Sequence, residues 1–168
     1  IGIKRFIDWY REFYLWKKKI YFIASIYDPI YLFLTPYLED LGKDYEITII
    51  CNLNGTNFPK NNKFNYKHIG ISRNPDLYND FKIFISLIIL FLSNRPFRAV
   101  SITPKIGLIV TLVSKILFIK ILHFITGQVW QTKIDKFSKY FLKTLDKITG
   151  KLSNKIIVDS YPQFKFLK

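Results

Sequence analysis

Residues 98–125, R-A-V-S-I-T-P-K-I-G-L-I-V-T-L-V-S-K-I-L-F-I-K-I-L-H-F-I, contain the pattern that decides the fold. A short apolar run at Arg98–Ile102 is followed by Thr103-Pro104, a pair of residues that often begins a helix. The helix is predicted to run from Lys105 to about Leu117, and 119–125 is a second apolar run. This order of strand, helix and strand predicts a βαβ unit with two parallel strands.

The same alternation continues on both sides of this unit. Further strands are predicted at Lys19–Ala24, Glu46–Cys51, Tyr66–Ile69 and Lys155–Val158, and helices at Asp28–Leu41 and Lys133–Gly150. Asn74-Pro75-Asp76 is predicted to begin another helix that reaches about Ser93, and Asp159-Ser160 to cap one more. Asp28 is predicted to cap its helix and Gly42 to end it, and Pro36 predicts a kink or a late start. The sequence therefore predicts an α/β fold, a Rossmann-like parallel sheet flanked by helices.

The chain is expected to hold one such domain, at residues 18–168, preceded by an amphipathic helix at residues 1–17. The chain has 168 residues, begins at Ile1, contains no Met and stops soon after a strand, which favours a fragment of a longer protein. The first helix is rich in aromatic residues and ends in Trp16-Lys17-Lys18-Lys19. Such a helix fits a membrane surface and a protein surface equally well, and both remain open.

The net charge and the cysteine count indicate which partners and which cellular compartment to expect. The formal net charge of +14 predicts an anionic partner or surface, although 21 Lys against 5 Arg is not the balance that bidentate phosphate recognition favours. The single cysteine, Cys51, lies in an apolar run and is predicted to be a small buried side chain. A disulfide framework is excluded, which favours a reducing compartment.

Several common site motifs are absent. The seven glycines lie too far apart for a dinucleotide fingerprint or a phosphate-binding P-loop. No clustered His and Cys residues are present, so neither a metal site nor a cofactor is expected. His123 has apolar neighbours on its strand and is predicted to be a hydrogen-bonded core histidine.

Three turns form the candidate site. Ligands of open parallel sheets bind beyond the carboxyl ends of the strands, where helix N-termini point at them. Here these turns follow Ala24, Ile102 and Ile125. The candidate binding residues are Ser25, Asp28, Thr103, Lys105, Gly107, Thr126, Gly127, Gln128 and Trp130.

Two of these turns carry motifs that resemble a known family. Residues 101–108, S-I-T-P-K-I-G-L, and 123–130, H-F-I-T-G-Q-V-W, resemble the signatures "S-x-T-P-K-x-G-L" and "H-x-x-T-G-Q-V-W" of family 4 glycosyltransferases. Val158-Asp159-Ser160 resembles its "V-D-S" segment, and residues 33–38 and 49–52 resemble its first helix and second strand. The resemblance covers about residues 18–168.

The resemblance implies the N-terminal half of a two-domain GT-B enzyme that is retaining and independent of metal. This half contacts the acceptor, whereas the nucleotide-sugar donor and the catalytic glutamates belong to a C-terminal domain that the chain lacks. The chain alone is therefore expected to be inactive, and its catalytic residues are unassigned. Many relatives carry histidine at the position of Thr126, so the donor sugar stays open.

The expected partners follow from this resemblance. The acceptor is a lipid-linked saccharide or a surface polysaccharide, and the location is the cytoplasm at the inner face of the cell membrane. An anionic membrane surface is a further partner, which the lysines of residues 133–151 could contact.

Parts of the sequence also suggest two other classes of protein. An integral membrane protein is suggested by the apolar stretches 83–92 and 106–125, but the first is too short and Lys115 and Lys120 interrupt the second. A nucleic-acid-binding module is suggested by the pI of about 9.8. Most aromatic residues fall at core periodicity, which disfavours nucleic acid as a partner.

Overall fold

The computed structural model of the chain describes residues 2–14, 17–54, 63–72, 76–125, 136–158 and 160–167. Helices and strands alternate along most of these residues. The elements are α1 (Gly2–Tyr14), β1 (Lys18–Ile26), α2 (Asp28–Leu41), β2 (Tyr45–Asn52), β3 (Asn65–His68), α3 (Leu77–Ser93), β4 (Arg98–Ile102), α4 (Pro104–Ile116), β5 (Lys120–Ile125), α5 (Lys136–Leu152), β6 (Lys155–Val158) and α6 (Tyr161–Leu167).

The six strands form one sheet in the order β3-β2-β1-β4-β5-β6, and all five strand pairings are parallel. β1 and β4 lie side by side at the centre, so the chain builds the sheet outward first in one direction and then in the other. This arrangement places a topological switch point between the carboxyl ends of β1 and β4. The prediction of a Rossmann-like parallel sheet flanked by helices is confirmed.

Two apolar cores cover the two faces of the sheet. On one face α3 and α4 pack against β1, β4 and β5 through Leu87, Phe91, Val110 and others. On the other face α2 packs against β1 and β2 through Ile30, Leu34 and Leu38. Burial on both faces explains why the central strands read as continuous apolar runs in the sequence.

The structure corrects the predicted starts of two helices, α2 and α3. Asp28 does not cap α2: Tyr27 occupies the cap position and Asp28 is the first helical residue. The late start predicted from Pro36 is wrong, because α2 already runs from Asp28 to Leu41. α3 begins later than its proline suggested, at Leu77, because Asp76 caps it by accepting a 3.1 Å hydrogen bond from the Asn79 N–H.

Two buried side chains match their predicted roles. Cys51 is fully buried in the core between α2 and the sheet. His123 is also buried, and its Nδ1 lies 2.8 Å from the Ser101 hydroxyl on the neighbouring strand. Within the residues that the structure describes, no helix combines the length and the apolar character needed to cross a bilayer.

Candidate functional site

Ser25 and Thr103 meet at the switch point of the sheet. Ser25 lies near the end of β1, and Thr103 directly follows β4 and takes the cap position of α4. The two hydroxyl oxygens are 3.0 Å apart, and the Ser25 N–H donates to the Thr103 hydroxyl over 3.3 Å. Two of the predicted turns are therefore joined directly, at the edge of the sheet where ligands of such folds bind.

The first turn of α4 faces this edge without a side-chain cap. The Thr103 hydroxyl is turned towards Ser25 and makes no capping hydrogen bond to α4. The N–H groups of a helix's first turn carry a partial positive charge and commonly bind anions or polar ligand groups. The arrangement offers N–H donors beside two hydroxyl groups, which suits a ligand rich in hydroxyl or phosphate oxygens.

Lys105, in the first turn of α4, is held by the neighbouring loop and α3. Its Nζ lies 2.6 Å from a carboxylate oxygen of Asp80 and donates over 3.1 Å to both the carbonyl and the hydroxyl of Ser72. The side chains of Lys105 and Asp80 are about one-fifth exposed or less. One ion pair and two hydrogen bonds therefore hold the Lys105 ammonium, so it is fixed in place rather than freely solvated.

Ser72 and Asp80 were absent from the residues predicted for the site. Ser72 lies four residues beyond the end of β3, and Asp80 is in the first turn of α3. No spacing rule links either residue to Lys105, more than 20 positions later in the sequence. The contact forms only because α3, which follows β3 in the chain, packs beside α4 on one face of the sheet.

Asp28 is exposed at the start of α2 and lies on the β2 side of the switch point. The pKa of the Cys51 thiol is raised to about 12, mainly by burial and to a smaller extent by the negative charge of Asp28. A carboxylate at the N-terminus of a helix is favourably placed in the field of the helix dipole. Asp28 thus adds an accessible hydrogen-bond acceptor to this edge of the sheet.

Gly107 contacts a core residue as well as belonging to the predicted site. It is buried in α4, and a Cβ added to it would lie 2.9 Å from Nδ1 and 3.0 Å from Nε2 of His123. The ring of His123 is in turn hydrogen-bonded to the Ser101 side chain. The serine, glycine and histidine of the two signatures therefore form one contact between β4, α4 and β5.

The third predicted turn, with Thr126, Gly127, Gln128 and Trp130, lies outside the described residues. β5 leads into it beside β4, with Phe124 paired to Ile102. Among the described residues, His, Cys, Asp and Glu nowhere form a group of three that could hold a metal ion.

We expect the contact between Ser25 and Thr103 to stabilise the site measurably. Thr103→Val keeps the side-chain shape but removes the acceptor of the Ser25 N–H, and the buried Ser25 hydroxyl loses its partner. The expected loss in free energy of unfolding is about 1 kcal/mol, measured by guanidinium titration. Thr103→Ser, which keeps the hydroxyl, should lose clearly less, and equal losses for both variants would contradict the assignment.

No protein family model and no curated protein matches the sequence. Solved structures do resemble the chain. A UDP-N-acetylglucosamine 2-epimerase from Rickettsia bellii matches 90% of the chain with a TM-score of 0.66 and 12% identity, and the match covers 41% of that protein. MurG from Acinetobacter baumannii matches 84% of the chain with a TM-score of 0.55 and 12% identity, covering 41% of its own length.

A third similar structure is a UDP-glucosyltransferase from Polygonum tinctorium, with a TM-score of 0.56 and 13% identity over 86% of the chain and 47% of that protein. At these identities the matches establish the fold alone. The chain spans less than half the length of each of these proteins. It therefore shares the Rossmann-like fold of these three proteins, over part of their length.

Proposed function

We propose that the chain is the acceptor-side domain of a glycosyltransferase that transfers a sugar from a nucleotide-sugar to a lipid-linked or surface-polysaccharide acceptor. The observation that carries the proposal is the junction of Ser25 and Thr103 beside the uncapped N-terminus of α4, at the switch point of the sheet. The fold of the chain is shared with a UDP-glucosyltransferase, which supports a nucleotide-sugar as the donor.

The finer assignment is to family 4, with a retaining mechanism, and it rests on the two signature motifs. In this proposal the acceptor lies along Ser25, Asp28 and Thr103, and Thr126, Gly127, Gln128 and Trp130 contact the transferred sugar. Lys105 and Gly107 act mainly by holding α4 in place. The donor nucleotide binds a further domain, and the protein works at the inner face of the cell membrane.

The test uses the protein encoded by the complete reading frame that contains this chain. It is incubated with a panel of nucleotide-sugars and a short-chain polyprenyl-phosphate saccharide acceptor. We expect release of the nucleoside diphosphate together with a glycosylated acceptor, whose new anomeric centre keeps the donor's configuration by NMR. Absence of both products with every donor would reject the proposal.

Asp28 gives a residue-level prediction within this test. Asp28→Asn removes an exposed charge at the carboxyl edge of the sheet, and we expect about tenfold lower kcat/KM for the acceptor, the effect of one lost charged hydrogen bond. Asp44→Asn is the matched control, because Asp44 is also an exposed aspartate and lies just before β2, at the opposite edge. Equal effects of the two substitutions would argue against an acceptor site at the switch point.

A second candidate is an epimerase that acts on a UDP-sugar. It is favoured by the epimerase from Rickettsia bellii, whose TM-score is higher than that of the UDP-glucosyltransferase described above. The two activities differ in whether they need an acceptor and in the products that they form. An epimerase converts UDP-N-acetylglucosamine to its C2 epimer without any acceptor, whereas a transferase requires the acceptor and releases UDP.

A further inference from the structure

An exposed apolar stripe runs along the whole of α3. The side chains of this helix that face the sheet are buried, as expected, but six large apolar side chains point away from it with 39 to 90% of their surface exposed. We call these the α3 stripe: Leu77, Tyr78, Phe81, Ile85, Ile89 and Leu92. The helix has 17 residues and is therefore about 25 Å long. Contiguous apolar surfaces of this kind usually mark a docking site.

The α3 stripe ends beside a strongly basic cavity. The turn after α3 forms one wall of a cavity of about 620 Å³ at the amino edge of the sheet. We call it the basic cavity, and six of its lining residues are cationic: Lys17, Lys18, Lys19, Arg95, Arg98 and Lys120. Among the described residues that line it, none is acidic. Phe118, 90% exposed, stands at its rim.

A lysine side chain also lies directly beside the α3 stripe. The Lys82 ammonium lies 4.2 Å from the centre of the Tyr78 ring, on the exposed side of α3. Beside α3, on the same face of the sheet, α4 adds the exposed side chains of Leu112 and Ile116. The surface therefore combines aliphatic and aromatic side chains with lysine and arginine, in a chain of net charge +14.

We propose that the α3 stripe and the basic cavity form the surface by which the protein docks on an anionic lipid bilayer. Aromatic and aliphatic side chains with flanking lysines suit the interface between acyl chains and headgroups. Each cation near an anionic leaflet adds to the attraction. Protein interfaces are instead depleted of lysine, which argues against a protein partner.

This docking surface would explain how a lipid-linked acceptor reaches the site, and in that respect the inference rests on the proposed function. α3 begins near the carboxyl edge, where Asp80 in its first turn contacts Lys105 of α4, and it ends at the amino edge beside the basic cavity. A helix lying flat on the bilayer keeps the Ser25 and Thr103 turns at the membrane surface. A lipid-linked acceptor then reaches the site without leaving the bilayer.

The test is co-sedimentation of the full chain with vesicles. Vesicles of phosphatidylcholine alone are compared with an equimolar mixture of phosphatidylcholine and phosphatidylglycerol. We expect binding to the anionic vesicles only, and about tenfold or more weaker binding after the double substitution Ile85→Ser with Ile89→Ser. Arg95→Ser with Lys120→Ser should weaken binding to a similar degree.

The matched control is Leu32→Ser with Phe33→Ser, which removes two apolar side chains that are at least as exposed from α2, on the opposite face of the sheet. It should bind like the unchanged chain, and circular dichroism checks that each variant is folded. The proposal is overturned if the α3 variant binds normally, or if only Phe6→Ser with Trp9→Ser in α1 abolishes binding. It is also overturned if the α3 stripe proves to hold two copies of the chain together, with no vesicle binding.

The two proposals fail separately. Loss of vesicle binding with intact sugar transfer to a soluble short-chain acceptor would overturn only the docking surface. Vesicle binding that depends on α3, without transfer of any sugar, would overturn only the proposed function.

Discussion

Lowering the pH from above 6.5 to about 4 is expected to reduce the free energy of unfolding by about 3 kcal/mol through His123 alone. Burial lowers the pKa of His123 from 6.5 to about 4, against a smaller opposing contribution from Ser101. The unfolded chain therefore takes up a proton near pH 6.5, whereas the folded chain does so only near pH 4. Between these values the unfolded state binds more protons, so stability falls as the pH falls.

The measurement is a series of urea unfolding curves across this window. Carboxylates also titrate below pH 5, so the comparison that isolates His123 is the slope of stability against pH in the unchanged chain and in His123→Gln. His68→Gln is the control, because it removes the chain's other histidine, whose side chain is exposed. Equal slopes for the unchanged chain and His123→Gln would contradict a neutral buried histidine.

Replacing Gly107 with alanine is expected to destabilise the chain by about 1–3 kcal/mol, or several degrees in Tm. The new methyl group would lie within about 3 Å of the ring nitrogens of His123. The ring has little room to move, because it is buried and hydrogen-bonded to Ser101. Helix propensity alone predicts the opposite sign, since alanine stabilises a helix interior by about 1 kcal/mol relative to glycine.

Two comparisons test this explanation by thermal unfolding. Gly70→Ala is the matched control, because a Cβ there meets no atom within 4 Å, and its effect should stay within about 0.5 kcal/mol. In a chain that already carries His123→Ala, the alanine at position 107 should cost little or even stabilise. A full loss in that background would show that the His123 ring is not the obstacle.

Local sequence signals were sufficient for the elements and their order. Runs such as Glu46–Cys51 and Arg98–Ile102 predict strands because both faces of a central parallel strand are buried. Thr103-Pro104 predicts the start of α4 because proline fits the first turn of a helix, where its missing N–H costs nothing. Starts were less accurate at Asp28 and Asn74-Pro75, where proline tolerates several positions within the first turn.

The candidate site was predicted only in part. The turn rule brought Ser25 and Thr103 to one edge of the sheet, and the structure joins them by a hydrogen bond. The same rule made Lys105 a candidate binding residue, yet the structure shows that Asp80 and Ser72 hold its ammonium. Partners that lie on other elements leave no periodic trace in the sequence.

The exposure of α3 was the least predictable feature. Residues 83–92 are apolar almost without interruption, and such a run predicts burial, which the structure bears out for Ile83, Leu87 and Phe91. The structure leaves Ile85, Ile89 and Leu92 exposed, because only one face of a helix can pack against the sheet.

What the sequence determined by itself was the α/β class and the parallel sheet, together with the edge that is predicted to bind a ligand, because these depend on local patterns and on general rules of connection. The tertiary structure alone decided which side chains meet: Gly107 against His123, Lys105 with Asp80, and the α3 stripe beside the basic cavity. The physical reason is that contact energies fall off within a few ångströms, and the order of strands in the sheet, rather than their order in the chain, sets those distances.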